Sequence, residues 1–316
     1  MADGTDVGST AVKPSVRTPR ELNPLLVKEL RGRMRGSRAF VMLTVYLAIL
    51  GCFTSIVYAS YTSMMATPGS WGAMAYAGKV LFSTVVLLEI FLVAFITPAF
   101  TAGAISGERE RKTYEILRTT LLPARRLVMG KLGAALAYAL LLILTAVPLE
   151  SLAFMLGGVV AEELVLALVI LLVTAFAVAA VGLFASTLAR TTLIATVIAY
   201  AAVLLVVVGI PLLVLVAVAV GDPILGGYGP TAPPEVVRII LVYLFFFVLS
   251  LSPITAAGGT EVILTQEDTI WLFKAPLRAR TLWIPSPWIV YTLLYLLMGI
   301  LLVALAIRRV RRQETK

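Results

Sequence analysis

The sequence predicts an all-α integral membrane protein with six transmembrane helices. Hydrophobic residues make up 60% of the 316 residues, and the mean hydropathy is +1.00. Charged residues make up only 14%, against about 25% in soluble domains. Six apolar runs reach the length of about 20 residues that crosses a bilayer as a helix. These predicted spans are Ala39–Ala59, Val80–Ile105, Leu132–Leu156, Leu164–Leu188, Leu193–Val220 and Pro287–Ile307.

Two segments precede the first span. Residues 1–20 are polar and rich in small residues, which predicts a disordered tail. The tail lacks the apolar core of a signal peptide, so we expect the first span to be an uncleaved anchor. Residues 21–316 are predicted to form a single transmembrane domain. Within it, the segment Asn23–Phe40 places leucines on one helical face and basic residues outside it, which is typical of an amphipathic interfacial helix.

The basic residues predict the orientation. With the N-terminus in the cytoplasm, 21 of the 26 Lys and Arg fall on the cytoplasmic side. They lie in the tail, in residues 109–131, at Arg190 and in residues 308–316. This positive-inside pattern places both termini in the cytoplasm. The net charge of +9 is explained by the same pattern, because cytoplasmic loops of membrane proteins collect Lys and Arg near anionic lipid. No nucleic-acid partner is therefore predicted.

A seventh apolar run, Val236–Leu251, is shorter than the others. If it crossed the membrane, the basic C-terminus would lie outside, against the positive-inside pattern. We therefore predict a re-entrant hairpin over about 236–260 on the outer side, before the last span. Ser252-Pro253 and Gly258-Gly259 are its expected turns. A seventh span is the alternative.

Residue types that are absent exclude several kinds of chemistry. The chain has no histidine and a single cysteine, Cys52. Histidine-ligated haem, His-based zinc sites, Ser-His-Asp catalysis and a disulfide within the chain are thereby excluded. The nearest approach to a P-loop, from Gly72 to Val80, has the wrong spacing and lacks the Ser/Thr. We predict no catalytic residue, metal or cofactor in this chain, and no enzyme activity of its own.

A charged insert, SGERERKTYEILRTTLLPARRLVMGKL, follows the second predicted span and holds seven Lys/Arg and three Glu. Ser106 is expected to cap a helix over Glu108–Thr120, and Glu108 is spaced i,i+4 from Lys112. Tyr114 and Leu117 begin an apolar stripe along this helix.

Two interpretations of this amphipathic helix, at about 107–122, are open. It rests on anionic lipid headgroups, or it docks into a groove of a cytoplasmic protein. Mixed charge with a Tyr/Leu ridge favours the protein groove.

The insert resembles the first cytoplasmic loop of ABC-type-two permeases, the membrane subunits of a large class of ABC exporters. That family's pattern is close to P-x-x-x-A-x-x-I-x-x-E-R-E-x-x-T-x-E-x-L-x-x-T-P-x-x-x-x-x-x-x-x-K. One departure here is Leu121-Leu122-Pro123, where the family more often has a proline directly after the threonine. The entry helix at Asn23–Phe40, the loop Ser186–Thr192 and the Ser252-Pro253 step are similar to the family's later features, in the same order. The residues that match the loop pattern are Pro98, Ala102, Ile105, Glu108, Arg109, Glu110, Thr113, Glu115, Leu117, Thr120 and Lys131.

The resemblance implies a function. Residues 21–316 would be the permease domain of an exporter in a prokaryotic inner membrane, and residues 107–122 its coupling helix. A separate cytoplasmic ABC ATPase subunit would bind ATP and Mg, and a second permease copy or a homologous permease would complete the assembly. Arg190 would make a second cytoplasmic contact. The residues implied to couple to the ATPase are Glu108, Arg109, Glu110, Thr113, Tyr114, Glu115 and Leu117.

Glu89 lies ten residues into the second predicted span, about 15 Å along the helix and near the midplane. A carboxyl at this depth indicates either a role in the translocation path or a protonated, hydrogen-bonded packing residue. The alternative function is therefore an ion-coupled secondary transporter or channel that uses Glu89. The other acidic residues near the outer side are expected to be solvated loop charges, or else to attract a cationic substrate. They are Glu150, Glu162, Glu163, Glu261, Glu267 and Asp268.

Overall fold

The computed structural model describes residues 37–64, 71–112, 123–225, 234–267, 269–277 and 280–314. The tail at 1–20 and most of the interfacial helix at Asn23–Phe40 lie outside these ranges. The described elements are α1 (Ser37–Met64), α2 (Trp71–Thr101), α3 (Ser106–Glu110), α4 (Ala124–Leu156), α5 (Ala161–Leu188), α6 (Thr192–Leu204), a π-helical turn (Leu205–Gly209), α7 (Ile210–Leu225), α8 (Glu235–Leu249), α9 (Pro253–Glu267), β1 (Leu272–Leu277), β2 (Arg280–Pro285) and α10 (Pro287–Glu314).

Six helices in the described ranges are long and apolar enough to cross a membrane, in agreement with the six predicted spans, and the bent pair α8 and α9 would add a seventh if it formed one broken span. They are α1, α2, α4, α5, the continuous α6–α7 unit and α10. The helices are longer than the apolar runs: α2 begins at Trp71 and α4 at Ala124, whereas the predicted spans begin at Val80 and Leu132. Hydropathy locates only the part of a helix that suits lipid, whereas backbone hydrogen bonding continues into its polar ends. The chain therefore has the architecture of a multi-pass helical membrane protein.

Helix α5 is the centre of the bundle. Its most apolar 18-residue window is 61% buried, against 17% for that of α1. Small residues at Ala175, Ala177, Ala179, Ala180, Gly182 and Ala185 let neighbouring backbones approach closely. At Gly182 the neighbour is Thr101, at the end of α2. By contrast, α1 and α6–α7 present apolar side chains outward, and we expect lipid or another membrane protein to cover them.

The seventh apolar run forms a helical hairpin with the segment that follows it. Helices α8 and α9 are bent by 118° at the break between them. The break falls at Ser250–Ser252, whereas Gly258 and Gly259, also expected as a turn, lie inside α9. The Tyr295 hydroxyl of α10 donates to the Leu251 carbonyl at 2.5 Å, so the tip of the hairpin packs inside the bundle. Its entry into the membrane from the outer side remains a prediction.

An antiparallel β-hairpin between α9 and α10 was not predicted. Strands β1 and β2 pair with Lys274 opposite Trp283, and the Lys274 ammonium lies 4.8 Å from the Trp283 ring centre. Tyr243 of α8 donates to the Trp283 carbonyl at 3.1 Å, which ties the strands to the helical hairpin. Six-residue strands are too short for a search by helical hydropathy to find.

Candidate functional site

The basic end of the bundle is the end at which α2 and α5 finish and α4 and α6 begin. We use this name for residues 102–112, 123–131, 186–192 and 308–312. The short helix α3 lies here, at the start of the charged insert. Its packing brings together two loops that are about 80 residues apart in sequence.

The start of α3 is bonded to Ser186 of α5. The backbone N–H groups of Ile105 and Ser106 both donate to the Ser186 hydroxyl oxygen, at 2.8 and 3.0 Å. The Ser106 hydroxyl donates back to the Ala102 carbonyl at 3.0 Å. Ser106 is therefore not the expected N-cap, a position held by Ile105. Ser186 supplies the acceptor for two N–H groups that a helix start leaves unsatisfied.

Arg109 and Glu110 hold the two ends of the loop between α5 and α6. The Arg109 guanidinium donates to the Thr187 and Ala189 carbonyls, at 3.4 and 3.2 Å, where α5 ends. The Glu110 carboxylate accepts from the Thr192 N–H and hydroxyl, at 3.1 and 2.7 Å, where α6 begins. A cation at a helix C-terminus and an anion at an N-terminus both complement the helix dipole.

Glu108 is paired with α4. The Lys131 ammonium lies 2.6 Å from Glu108 Oε1, with Lys131 almost fully buried and the Glu108 side chain 21% exposed. Lys112, its expected i,i+4 partner, sits where α3 has already ended. Three consecutive residues of α3 thus bond to three different helices.

The predicted coupling helix is not continuous. Helix α3 ends at Glu110, and Lys112 has a φ of 56°, the left-handed conformation that terminates helices. The prediction of a single helix over 107–122 is therefore wrong at residues 111–112, where the helix is interrupted. Thr113, Tyr114, Glu115 and Leu117 lie outside the described residues. After them, Pro123 precedes α4 in an extended conformation.

Arg190 is exposed in the loop between α5 and α6, next to the Ala189 carbonyl that binds Arg109. The sequence analysis predicted Arg190 as a second contact, distinct from the Glu108–Glu110 segment. In the structure, Arg190 and that segment lie in one cluster. The cluster's other members were not predicted as site residues. They are Lys131, Ser186, Thr187 and Thr192. The last three lie in the polar loop STLARTT, which was the one indication of them in the sequence.

Glu89 lies in a second polar cluster, in the interior of the bundle. Its carboxyl is close to Glu150 of α4 and to the Tyr46 hydroxyl of α1. Glu89 is fully buried, Tyr46 is 1% exposed and Glu150 is 9% exposed. Glu150 is therefore not the solvated loop charge that its position suggested, because the apolar part of α4 continues past it. Neither oxygen of Glu89 makes a hydrogen bond of good geometry to a described residue, and neither does the Tyr46 hydroxyl, although the groups lie within reach of one another.

Two more acidic residues form ion pairs at the opposite end of the bundle, where the loop 157–160 lies. Lys79 of α2 contacts Glu163 of α5 at 2.8 Å and Glu261 of α9 at 3.5 Å. These two glutamates are thus ion-paired, and the pair with Glu261 fastens the helical hairpin to the bundle. Glu162 and Glu267 are exposed as expected, and Asp268 lies outside the described residues.

No protein-family model matches this chain, and no curated protein is significantly similar to it. The cluster at the basic end bonds α3 to three other helices, and the interior cluster brings two carboxyls together in the core.

The Glu108–Lys131 pair can be tested by charge reversal. We expect Lys131→Glu to lower the free energy of unfolding by about 3 kcal/mol, because it leaves two carboxylates at a largely buried site. The double variant E108K/K131E should recover most of that loss. Thermal unfolding of the detergent-solubilised chain measures both.

The matched control is Arg309→Glu, which makes the same charge change at an exposed position of the basic end. It should change the unfolding free energy by less than about 0.5 kcal/mol. Equal losses in Lys131→Glu and Arg309→Glu, or no recovery in the double variant, would contradict the pairing.

Proposed function

We propose that this chain is the transmembrane permease subunit of an ABC exporter. It would couple ATP hydrolysis by a separate ATPase subunit to the movement of a substrate across the membrane. One observation carries the proposal: the first turn of the coupling segment is bonded to α4, α5 and α6 by Glu108, Arg109 and Glu110. The resemblance of the same segment to the family's first cytoplasmic loop supports it.

The bonds explain how a push would travel. A partner that grips residues 111–122 moves α3, and α3 cannot move independently of its neighbours. Lys131 transfers displacement to α4, and the capping contacts of Arg109 and Glu110 transfer it to α5 and α6. Rigid elements with discrete contacts carry conformational change in this way.

The contacts within the chain support a division of roles among the predicted coupling residues. Glu108, Arg109 and Glu110 are positioning residues, because their side chains bond within the chain. Contact with the ATPase falls to the exposed Arg111, Lys112 and Arg190, and to residues further along the insert. Those further residues are Thr113, Tyr114, Glu115 and Leu117.

The remaining parts of the assembly follow from this role. ATP and Mg bind to the ATPase, and no cofactor belongs to this chain. The basic end faces the cytoplasm of a prokaryotic cell, with the chain in the inner membrane. A second permease copy or a homologous permease pairs with it, and lipid surrounds the pair.

Site-specific photocrosslinking tests the proposal. A photoreactive amino acid at Tyr114 or Arg190, in the full chain in its native membrane, should crosslink to a protein that contains a P-loop. The same probe at Leu212 of α7, an exposed apolar position, should not. Mass spectrometry of the products identifies the partner, and ATP turnover by the purified complex should be lost in Tyr114→Ala.

Two results would refute the assignment. Crosslinks from Tyr114 to lipid alone would make the insert an interfacial helix. Equal capture of the ATPase from Leu212 would show that the contact is not specific to the basic end.

The alternative function, an ion-coupled transporter or channel, is favoured by the burial of Glu89 beside Glu150. Proteoliposomes that contain only this chain separate the two functions. Proton or sodium flux without any ATPase, abolished in Glu89→Gln, would favour the alternative. No flux until the ATPase and ATP are added would favour the exporter.

A further inference from the structure

We propose that Glu89, Glu150 and Tyr46 form a proton-binding site inside the membrane part of the bundle. The two carboxyls hold one exchangeable proton between them, and the Tyr46 hydroxyl completes the hydrogen bonding. This inference rests on the interior cluster alone. It does not depend on the proposed ATPase partner.

Burial is the first argument. The three side chains come from α2, α4 and α1 and meet in the hydrophobic core. Glu89 is completely inaccessible to solvent. Two ionised carboxylates so close together, away from water, repel each other strongly and lose their hydration. The pair must therefore be accompanied by at least one positive charge.

No basic side chain of the described residues supplies that charge. The groups that face Glu89 are Glu150 and Tyr46. Lys79, on the same helix, is ten residues away, about 15 Å, and is paired with two other glutamates. Several other titratable groups on helices around α2 have different partners: Glu163 and Glu261 at Lys79, Tyr200 at the Phe95 carbonyl, and Tyr138 against the Phe100 ring.

The hydrogen bonding is incomplete without a ligand. Neither Glu89 oxygen makes a hydrogen bond of good geometry to a described residue, and neither does the Tyr46 hydroxyl, although the three groups lie within reach of one another and almost all buried polar atoms in proteins are paired. Ionised carboxylates only accept hydrogen bonds. One added proton turns one of them into a donor, so that the carboxyls can bond to each other while Tyr46 donates to the oxygen that remains.

The ligand set favours a proton over a metal ion. Calcium takes six to eight oxygen ligands, and magnesium six. The cluster offers two carboxyls and one hydroxyl, and the described part of the chain has no group of three acidic or cysteine side chains that could hold a metal. A proton needs only a donor and an acceptor.

Infrared spectroscopy of the purified chain in lipid nanodiscs tests the site directly. The C=O stretch of a protonated carboxyl, which shifts in D₂O, should be present at neutral pH. It should be lost in the double variant E89Q/E150Q. Tyr46→Phe should keep the band but shift its frequency, because a hydrogen bond to the carboxyl disappears. Glu162→Gln, at an exposed position, should leave the neutral-pH band unchanged.

Three outcomes would overturn the proposal. They are the absence of a neutral-pH band in the wild type, a band that persists in E89Q/E150Q, and a band abolished by sodium or potassium at constant pH. The last would make the ligand a metal cation. Gel filtration and thermal unfolding confirm that each variant is folded, and Tyr46→Phe tests the site if the double variant is not. Because no ATPase is present, failure here is distinguishable from failure of the exporter assignment.

Discussion

Replacing Ser186 by alanine is expected to separate the two loops at the basic end and to lower the free energy of unfolding by about 2–4 kcal/mol. The Ser186 hydroxyl accepts from two buried backbone N–H groups, those of Ile105 and Ser106. A buried donor left without a partner costs about 1–3 kcal/mol. Alanine removes the acceptor from both donors.

Unfolding by SDS titration of the chain in mixed micelles measures this loss. The control is Ser151→Ala, whose exposed hydroxyl donates only to Pro148 within its own helix, and a change below about 0.5 kcal/mol is expected there. Ser186→Thr retains the hydroxyl oxygen, so its loss of unfolding free energy should lie between those of Ser186→Ala and Ser151→Ala. If Ser186→Ala is as stable as Ser151→Ala, the hydroxyl does not join the loops.

Replacing Gly182 by alanine is expected to cost about 1–3 kcal/mol, the usual range for overpacking a tight interface. A Cβ atom at this position would overlap Thr101 Oγ1 and lie 3.2 Å from Thr101 Cβ. Thr101 is buried at the end of α2 and cannot turn away freely. Helices α2 and α5 would therefore have to move apart, just below the junction of Ser186 with α3.

Gly51→Ala is the matched control, since a Cβ there meets no atom within 4 Å. Alanine is the better helix former, so this variant should be neutral or more stable by up to about 1 kcal/mol. Both variants are compared by their midpoints of heat-induced aggregation in the same detergent. Equal midpoints would mean that the Gly182 contact does not hold α2 against α5.

The two variants also connect stability to the proposed function. Gly182 and Ser186 are one helical turn apart on α5, and both set the position from which the coupling segment leaves the bundle. We expect both to weaken photocrosslinking at Tyr114, even at temperatures where the chain is folded. Gly51→Ala and Ser151→Ala should leave that crosslinking unchanged.

Much of the fold follows from composition alone. Apolar runs of about 20 residues have few alternatives to a membrane-spanning helix, because lipid satisfies no backbone hydrogen bond. The six spans were predictable for that reason, and so was a break near Ser252-Pro253. The β-hairpin and the true helix ends were not, because both lie where water can satisfy the backbone and hydropathy no longer selects one structure.

The charged residues were predictable as a group but not in their pairings. Glu108, Arg109 and Glu110 were predicted from the charged insert and the resemblance of its pattern, and Arg190 from the resemblance of the separate loop Ser186–Thr192. Spacing along a helix suggested Lys112 as the partner of Glu108, but the partner is Lys131, 23 residues away. Local spacing cannot reveal a partner on another helix, since that depends on how the helices pack.

The sequence by itself determined that this protein is a helical membrane protein with a basic, charged insert after its second span, because hydropathy and charge act locally along the chain. Only the tertiary structure decided which polar groups meet. It joined the insert to the loop at 186–192, and it brought Glu150 from an apparent loop to Glu89 in the core. The physical reason is that a buried polar group is stable only beside a suitable partner, and the approach of separate helices, permitted here by small residues such as Gly182, decides where partners are found.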